Sequence, residues 1–251
     1  MEYKKLTLSE KLNIIRAGVL GANDGIIGGA GVILGITGAT TNNTVVFVAG
    51  IAEMLAVAFS MASGEFVSVS SQKDTEKAVV AKAETLLATQ PTIVHDEIAI
   101  YYEQRGADPK LAARVADDLM TNDALKHYVQ IKYGIVVGKY LSPAHALVSS
   151  FIASISGGIW PLLSVILLPD NLKVIGTILA TLWALFLTGW LSAWAGRAPI
   201  IPAILRNIFT GVLTMAFTYW TILRSFGIKR RTYRFNISLL PRSSGEYGCA
   251  K

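Results

Sequence analysis

Five stretches of this chain, 12–36, 45–67, 144–168, 174–195 and 204–226, are each long and apolar enough to cross a lipid bilayer as a helix, since a crossing takes roughly 20 residues. In hydrocarbon every backbone N–H and C=O must be paired inside the segment, so each stretch is predicted to be an α-helix. The composition agrees: 52% of the residues are hydrophobic, 16% are charged and mean hydropathy is +0.47, which is too apolar for an ordinary water-soluble domain. The expected fold is an all-α integral membrane protein of five transmembrane helices, with a lipid bilayer as solvent.

Net charge is +6 and the pI is near 9.4. Those values would suggest nucleic acid for a soluble protein, but here the basic residues flank membrane helices and no nucleic-acid-binding motif is present. Lys4, Lys5 and Lys11 precede the first span, whereas the connection around Thr40, Thr41, Asn42 and Asn43 has no charge, so the N-terminus is expected in the cytoplasm. Lys4, Lys5, Lys11 and Arg16 before an apolar run resemble a signal peptide. That run is long and glycine-rich, contains Asp24 and lacks a cleavage site, so it reads as a retained helix. The single cysteine, Cys249, excludes a disulfide framework or a thiolate metal site within one chain.

Residues 72–142 form the one extended hydrophilic block. Ile93, Ile98, Tyr101 and Tyr102 recur at helical spacing, Gly106 with Asp108-Pro109 breaks the pattern, and Leu111, Val115 and Leu119 begin another helix. The expected organisation is spans one and two over 1–71, a helical cytoplasmic insert over 72–142 that can run on from the second span, spans three to five over 143–227, and a disordered polar tail over 228–251.

Two spans carry acids. The first reads Gly21-Ala22-Asn23-Asp24-Gly25-Ile26-Ile27-Gly28-Gly29, with a carboxylate amid small residues. A charge at that depth costs roughly 2.5–3.5 kcal/mol on insertion scales, so it must face protein or a water-filled path. In the second span Glu53, Ser60 and Gly64 fall on one face at about 100° per residue, with Met61 on its flank. Glu65 lies near the cytoplasmic end, where a solvated helix-end charge and a functional carboxylate are equally open readings. Carboxylates beside a thioether tolerate Fe²⁺ or Mn²⁺ better than they favour Mg²⁺ or Ca²⁺, and carboxylates also exchange protons.

These two segments resemble the vacuolar iron transporter family, also called the cation carrier family. The resemblance rests on Asn23-Asp24-Gly25 and on Glu53 followed by the string Ser60-Met61-Ala62-Ser63-Gly64-Glu65-Phe66-Val67-Ser68-Val69-Ser70-Ser71-Gln72. The insert, Pro143 and a last span containing Tyr219 extend it over 10–227. It implies a homodimeric exporter of cytosolic Fe²⁺ or Mn²⁺ by proton antiport, with the metal as substrate and no permanently bound cofactor. Asp24, Glu53 and Met61 would line the path and Glu65 its cytoplasmic entrance. The membrane would be the cell membrane in a prokaryote and the vacuolar membrane in a plant or fungus.

The insert departs from the family's pattern. With Pro91, Gly106 and Gly134 as landmarks, Glu97 stays in register, but Ala83, Leu86, Val94 and Lys132 stand where acids are expected. Glu84, His95, Asp96, Glu103 and His127 are the remaining candidates for cytoplasmic metal, and surface acids of this kind are more often simply solvated. An intramembrane protease is excluded by spacing, because Asp24 and His145 form no His-Glu-x-x-His and no nucleophile elbow is present; no enzymatic activity is expected. A passive channel is the nearest alternative function, and a non-transporting scaffold a more distant one.

Overall fold

The first helix begins where the chain supplies its own cap. Thr7 Oγ1 accepts from the Glu10 backbone N–H at 3.2 Å, and the Glu10 carboxylate accepts from Thr7 N at 2.8 Å, so two otherwise orphaned donors are satisfied reciprocally. The computed structural model describes residues 6–37, 40 and 42–236. Helix α1 runs Leu8–Thr37. Helix α2 starts at Asn43, its first free N–H groups on Thr44 and Val45 bonded to Asn42 Oδ1, and continues to Thr89. At 1.5 Å per residue its 47 residues extend about 70 Å, over twice a hydrocarbon core of about 30 Å. One helix therefore serves as the second span and as the first element of the insert.

Pro91 at the first turn begins α3 (Pro91–Glu103); Asp108 caps α4 (Pro109–Thr121) by accepting from Lys110 N; α5 spans Ala124–Tyr133. Gly134 (φ +68°) takes the left-handed backbone that ends α5, and Gly106 (φ +94°) lies in the turn that follows α3. α6 (Pro143–Leu167), α7 (Lys173–Gly196) and α8 (Ile200–Asn236) follow. Among the described residues the fold is all-helical, and five helices are long and apolar enough to cross a membrane: α1, α2, α6, α7 and the Ile200–Thr218 part of α8. The helical backbone of α8 continues to Asn236, where an irregular tail was expected from Ile228 onward; the rest of that tail, with Cys249, lies outside the described residues.

The chain divides into two packed units. One comprises the residues up to Gly21 together with Phe59–Ile152. Its main core is inside the insert, where Val94, Ile98 and Ala99 of α3, Ala112 and Ala116 of α4, and Tyr128 and Val129 of α5 close on Ala83 of α2. A smaller core joins Ala17 of α1, Val69 of α2 and Ala146 of α6. Ser149 Oγ also donates to the Ile14 carbonyl at 2.8 Å.

The other unit comprises Ala22–Ala58 and the residues from Ala153. Here α1 is nearly surrounded: Gly25 lies against the Ser154 backbone of α6, Gly28 against Glu53 and Val57 of α2, and Gly31 against Thr218 of α8. A Cβ on Gly25 or on Gly157 would run into the opposing helix's carbonyl, so both glycines are required by this crossing. Ser164 and Thr177 share a 2.5 Å hydrogen bond between α6 and α7. The buried Lys173 donates to Asn43 at the start of α2 and to Asp170, joining the connections before α2 and α7 on one side. That agrees with the antiparallel order of the spans.

Candidate metal path and the helical insert

Asp24 sits near the middle of α1 and is exposed in the single chain. Glu53 is half-buried, and a Cβ placed on Gly28 would lie 3.0 Å from its Oε1. Gly28 is four residues beyond Asp24, on the same face of α1. The Glu53 carboxylate therefore reaches the α1 surface that carries Asp24, and both acids belong to one unit. Beside them Asn23 Oδ1 is buried and lacks a hydrogen-bond partner among the described residues.

Met61 and Glu65 belong to the other unit. Met61 is half-buried, while Ser60, Ser63 and Gly64 are exposed, and no atom comes within 4 Å of a Cβ on Gly64. Glu65 is 5% exposed and accepts from Arg16 Nη2 at 2.8 Å. It is not a solvated helix-end charge. Sequence reasoning treated Arg16 as a basic flank; only the bundle shows it paired to a buried acid on another helix. Asn13 Oδ1 accepts from the same guanidinium at 3.1 and 3.4 Å.

The insert candidates separate into three groups. Glu97 Oε2 accepts from Lys132 Nζ and from Tyr128 Oη, each at 2.5 Å, and Lys132 also donates to Tyr128 Oη at 2.8 Å. Burial alone would raise the Glu97 carboxyl, but the bonds from Lys132 and Tyr128 outweigh it and hold the acid below its ordinary value. Lys132 is raised, chiefly by its bond to Glu97 and then by Tyr128. His95 Nδ1 lies 3.2 Å from Asp96 and Nε2 lies 3.1 Å from Asp117, linking α3 to α4. The bond to Asp96, assisted by Asp117, raises its pKa against the opposing effect of burial. Glu84 and Glu103 are exposed. Among the described residues no group of three His, Cys, Asp or Glu side chains is arranged to hold a metal ion.

The VIT family model matches residues 15–222, which cover both acid-bearing spans, the insert and the last three spans. The chain belongs to the VIT family. Similar proteins include a vacuolar iron transporter of Acanthamoeba castellanii, 37% identical over 205 residues, covering 81% of this chain and 76% of that protein. Vacuolar iron transporter homolog 3 of Arabidopsis thaliana is 31% identical over 219 residues, with 87% and 86% covered. Vacuolar iron transporter 1 of Arabidopsis thaliana is 28% identical over 208 residues, with 81% and 82% covered. The VIT match is continuous through the insert, so the lysine at 132 and the other non-acidic positions lie within the family's span.

Proposed function

We propose that the chain transports a divalent transition metal, Fe²⁺ or Mn²⁺, out of the cytosol in exchange for protons. The path is lined by Asp24, Glu53 and Met61, has Glu65 at its cytoplasmic entrance, and runs between two copies of the chain. The observation that carries this reading is the convergence of Glu53 on the Asp24 face of α1. Carboxylates on two adjoining helices, each long enough to span a membrane, are a costly arrangement that a conducted cation repays. Relatives named vacuolar iron transporters support the choice of metal.

Dimer formation is supported by what the single chain leaves uncovered. Asp24, Ser60 and Gly64 are exposed on apolar, span-length helices, and an acid at such depth requires protein or water against it. Asn23 Oδ1, buried without a partner among the described residues, is a further oxygen that a cation would satisfy. The insert adds no metal cluster to this scheme. Its role is to hold the long α2 through its own core.

Proteoliposomes loaded with a metal-sensitive dye, with and without an imposed pH gradient, test the proposal. Fe²⁺ or Mn²⁺ flux should require the gradient, and Asp24→Asn or Glu53→Gln should abolish it while a folded dimer remains. Flux that ignores the gradient would mean a passive channel. Wild-type flux in both variants would remove Asp24 and Glu53 from the path.

A further inference from the structure

Glu65 is sealed, at 5% exposed, while the side chain of its partner Arg16 is 54% exposed. The acid sits in the α1–α2–α6 contact: Arg16 adjoins the buried Ala17, and Glu65 lies one turn before the buried Val69. The base projects outward and has two acceptors, Glu65 Oε2 at 2.8 Å and Asn13 Oδ1 at 3.1 Å, both from Nη2. Asn13 is one turn away on Arg16's own helix, so the guanidinium can leave Glu65 and stay hydrogen-bonded.

We propose that Arg16 is a tethered competitor for the Glu65 carboxylate, which an incoming divalent cation must displace onto Asn13. This rests on the transport reading above, in which Glu65 is the first acid a cytosolic metal meets. Arg16 thereby sets affinity and selectivity at the entrance without itself binding metal. A monovalent ion offers Glu65 no more charge than the guanidinium already does, and lacks its directed, charge-assisted hydrogen bond. A divalent ion brings twice the charge. Among divalent ions Mg²⁺ sheds its water reluctantly, so Fe²⁺ and Mn²⁺ displace the guanidinium more readily.

The test compares wild type with Arg16→Gln, Glu65→Gln, the double variant and Asn13→Ala. Two readouts are used: Mn²⁺ binding to the purified full-length protein by electron paramagnetic resonance, and Mn²⁺ flux in proteoliposomes. Arg16→Gln should lower both the Kd and the KM for Mn²⁺ by about two- to fivefold, the worth of a pair whose base is half exposed, with a smaller change in kcat. In the Glu65→Gln background the same substitution should change neither. Asn13→Ala removes the retracted position and should raise Kd about twofold, on the weaker end of that scale; it remains informative if Arg16→Gln fails to fold. A folded Arg16→Gln protein that binds Mn²⁺ no more tightly, a gain that persists without Glu65, or an Asn13→Ala protein with unchanged Kd each overturns the proposal. Wild-type vesicles that carry no divalent metal, while the Glu65-dependent gain in binding persists, would overturn the transport reading and leave the competition standing.

Discussion

Lys132 Nζ lies 2.5 Å from Glu97 Oε2, so the one insert acid in register with the family's pattern is already neutralised by an ammonium from α5. A divalent ion at Glu97 would have to expel Lys132, and among the described residues Glu97 belongs to no group of three His, Cys, Asp or Glu side chains arranged to hold it. Glu97→Gln is therefore expected to leave the number of Mn²⁺ ions bound per chain unchanged. Loss of a bound ion on that substitution would show that Glu97 is a ligand after all.

The same pair gives a pH window. Glu97 is depressed from its ordinary 4.5, so its contribution is present above that value and lost as pH falls through the lower folded value. Lys132 is raised from 10.5, so its contribution is present below that value and lost as pH rises through the higher folded one. With side chains 36% and 37% exposed, the pair is worth at most about 1 kcal/mol after screening. Thermal melts should show Lys132→Gln less stable than wild type at pH 7, with the gap narrowing as the pH falls below 4.5 and through the depressed Glu97 value. A gap that stays constant across that range would assign the effect to packing.

His95 works in the opposite sense. Its pKa is raised by Asp96 on its own helix and Asp117 on α4, so the stabilisation is complete below its ordinary 6.5 and disappears as pH rises through the raised value. The stability difference between wild type and His95→Gln should be larger at pH 6 than at pH 9. Denaturant melts at the two pH values decide it; an equal difference would mean that the His95 charge does not hold α3 to α4.

Met61→Leu keeps side-chain volume and removes the thioether, so stability should scarcely move while competition among metals changes. Fe²⁺ and Mn²⁺ are expected to lose about three- to tenfold in rate relative to Mg²⁺, the worth of one soft ligand. Unchanged relative rates would reduce Met61 to filler in α2.

Two glycines should behave differently. Gly157→Ala places a methyl group on the Ala22 carbonyl, and overpacking of this kind costs about 1–3 kcal/mol, so the melting temperature should drop. Gly64 has no atom within 4 Å of a built Cβ, so Gly64→Leu should leave the single chain's fold intact. If Gly64 faces a second copy, the same substitution should weaken self-association in sedimentation. A Gly64→Leu protein with undiminished self-association would remove that face from the dimer interface.

The spans were legible in the sequence because a bilayer permits few solutions: an apolar run of fixed length must be a helix, and the ends of α6 and α7 follow within a few residues, whereas α2 and α8 run well past their apolar stretches. The break at Gly106 and Asp108-Pro109 was equally local, resting on a left-handed glycine, a capping acid and a proline. So were the acids proposed to line the path, since Asp24 and Glu53 stand out against apolar surroundings whatever they touch. Less was visible where an element is short and mixed: α5, with few apolar positions to set a period, was not foreseen, and the start of α1 was placed at 12 because its cap is a polar Thr7 and Glu10 pair.

Partner identity was decided only in three dimensions. Arg16 and Glu65 are 49 positions apart, and Lys132 and Glu97 are 35 apart. No periodicity links such residues; their approach depends on how helices cross and which small residues allow it. Hence the choice left open at Glu65, between a solvated helix-end charge and a functional acid, narrowed to a buried acid paired with Arg16, and the possible ligand Glu97 proved to be one arm of a salt bridge. Composition and hydropathy determined that this chain is a set of membrane-length helices carrying acids within their spans. Tertiary packing alone determined which of those acids are already matched by a cation of the chain itself, because charge pairing falls off over a few ångströms and the sequence does not record distance.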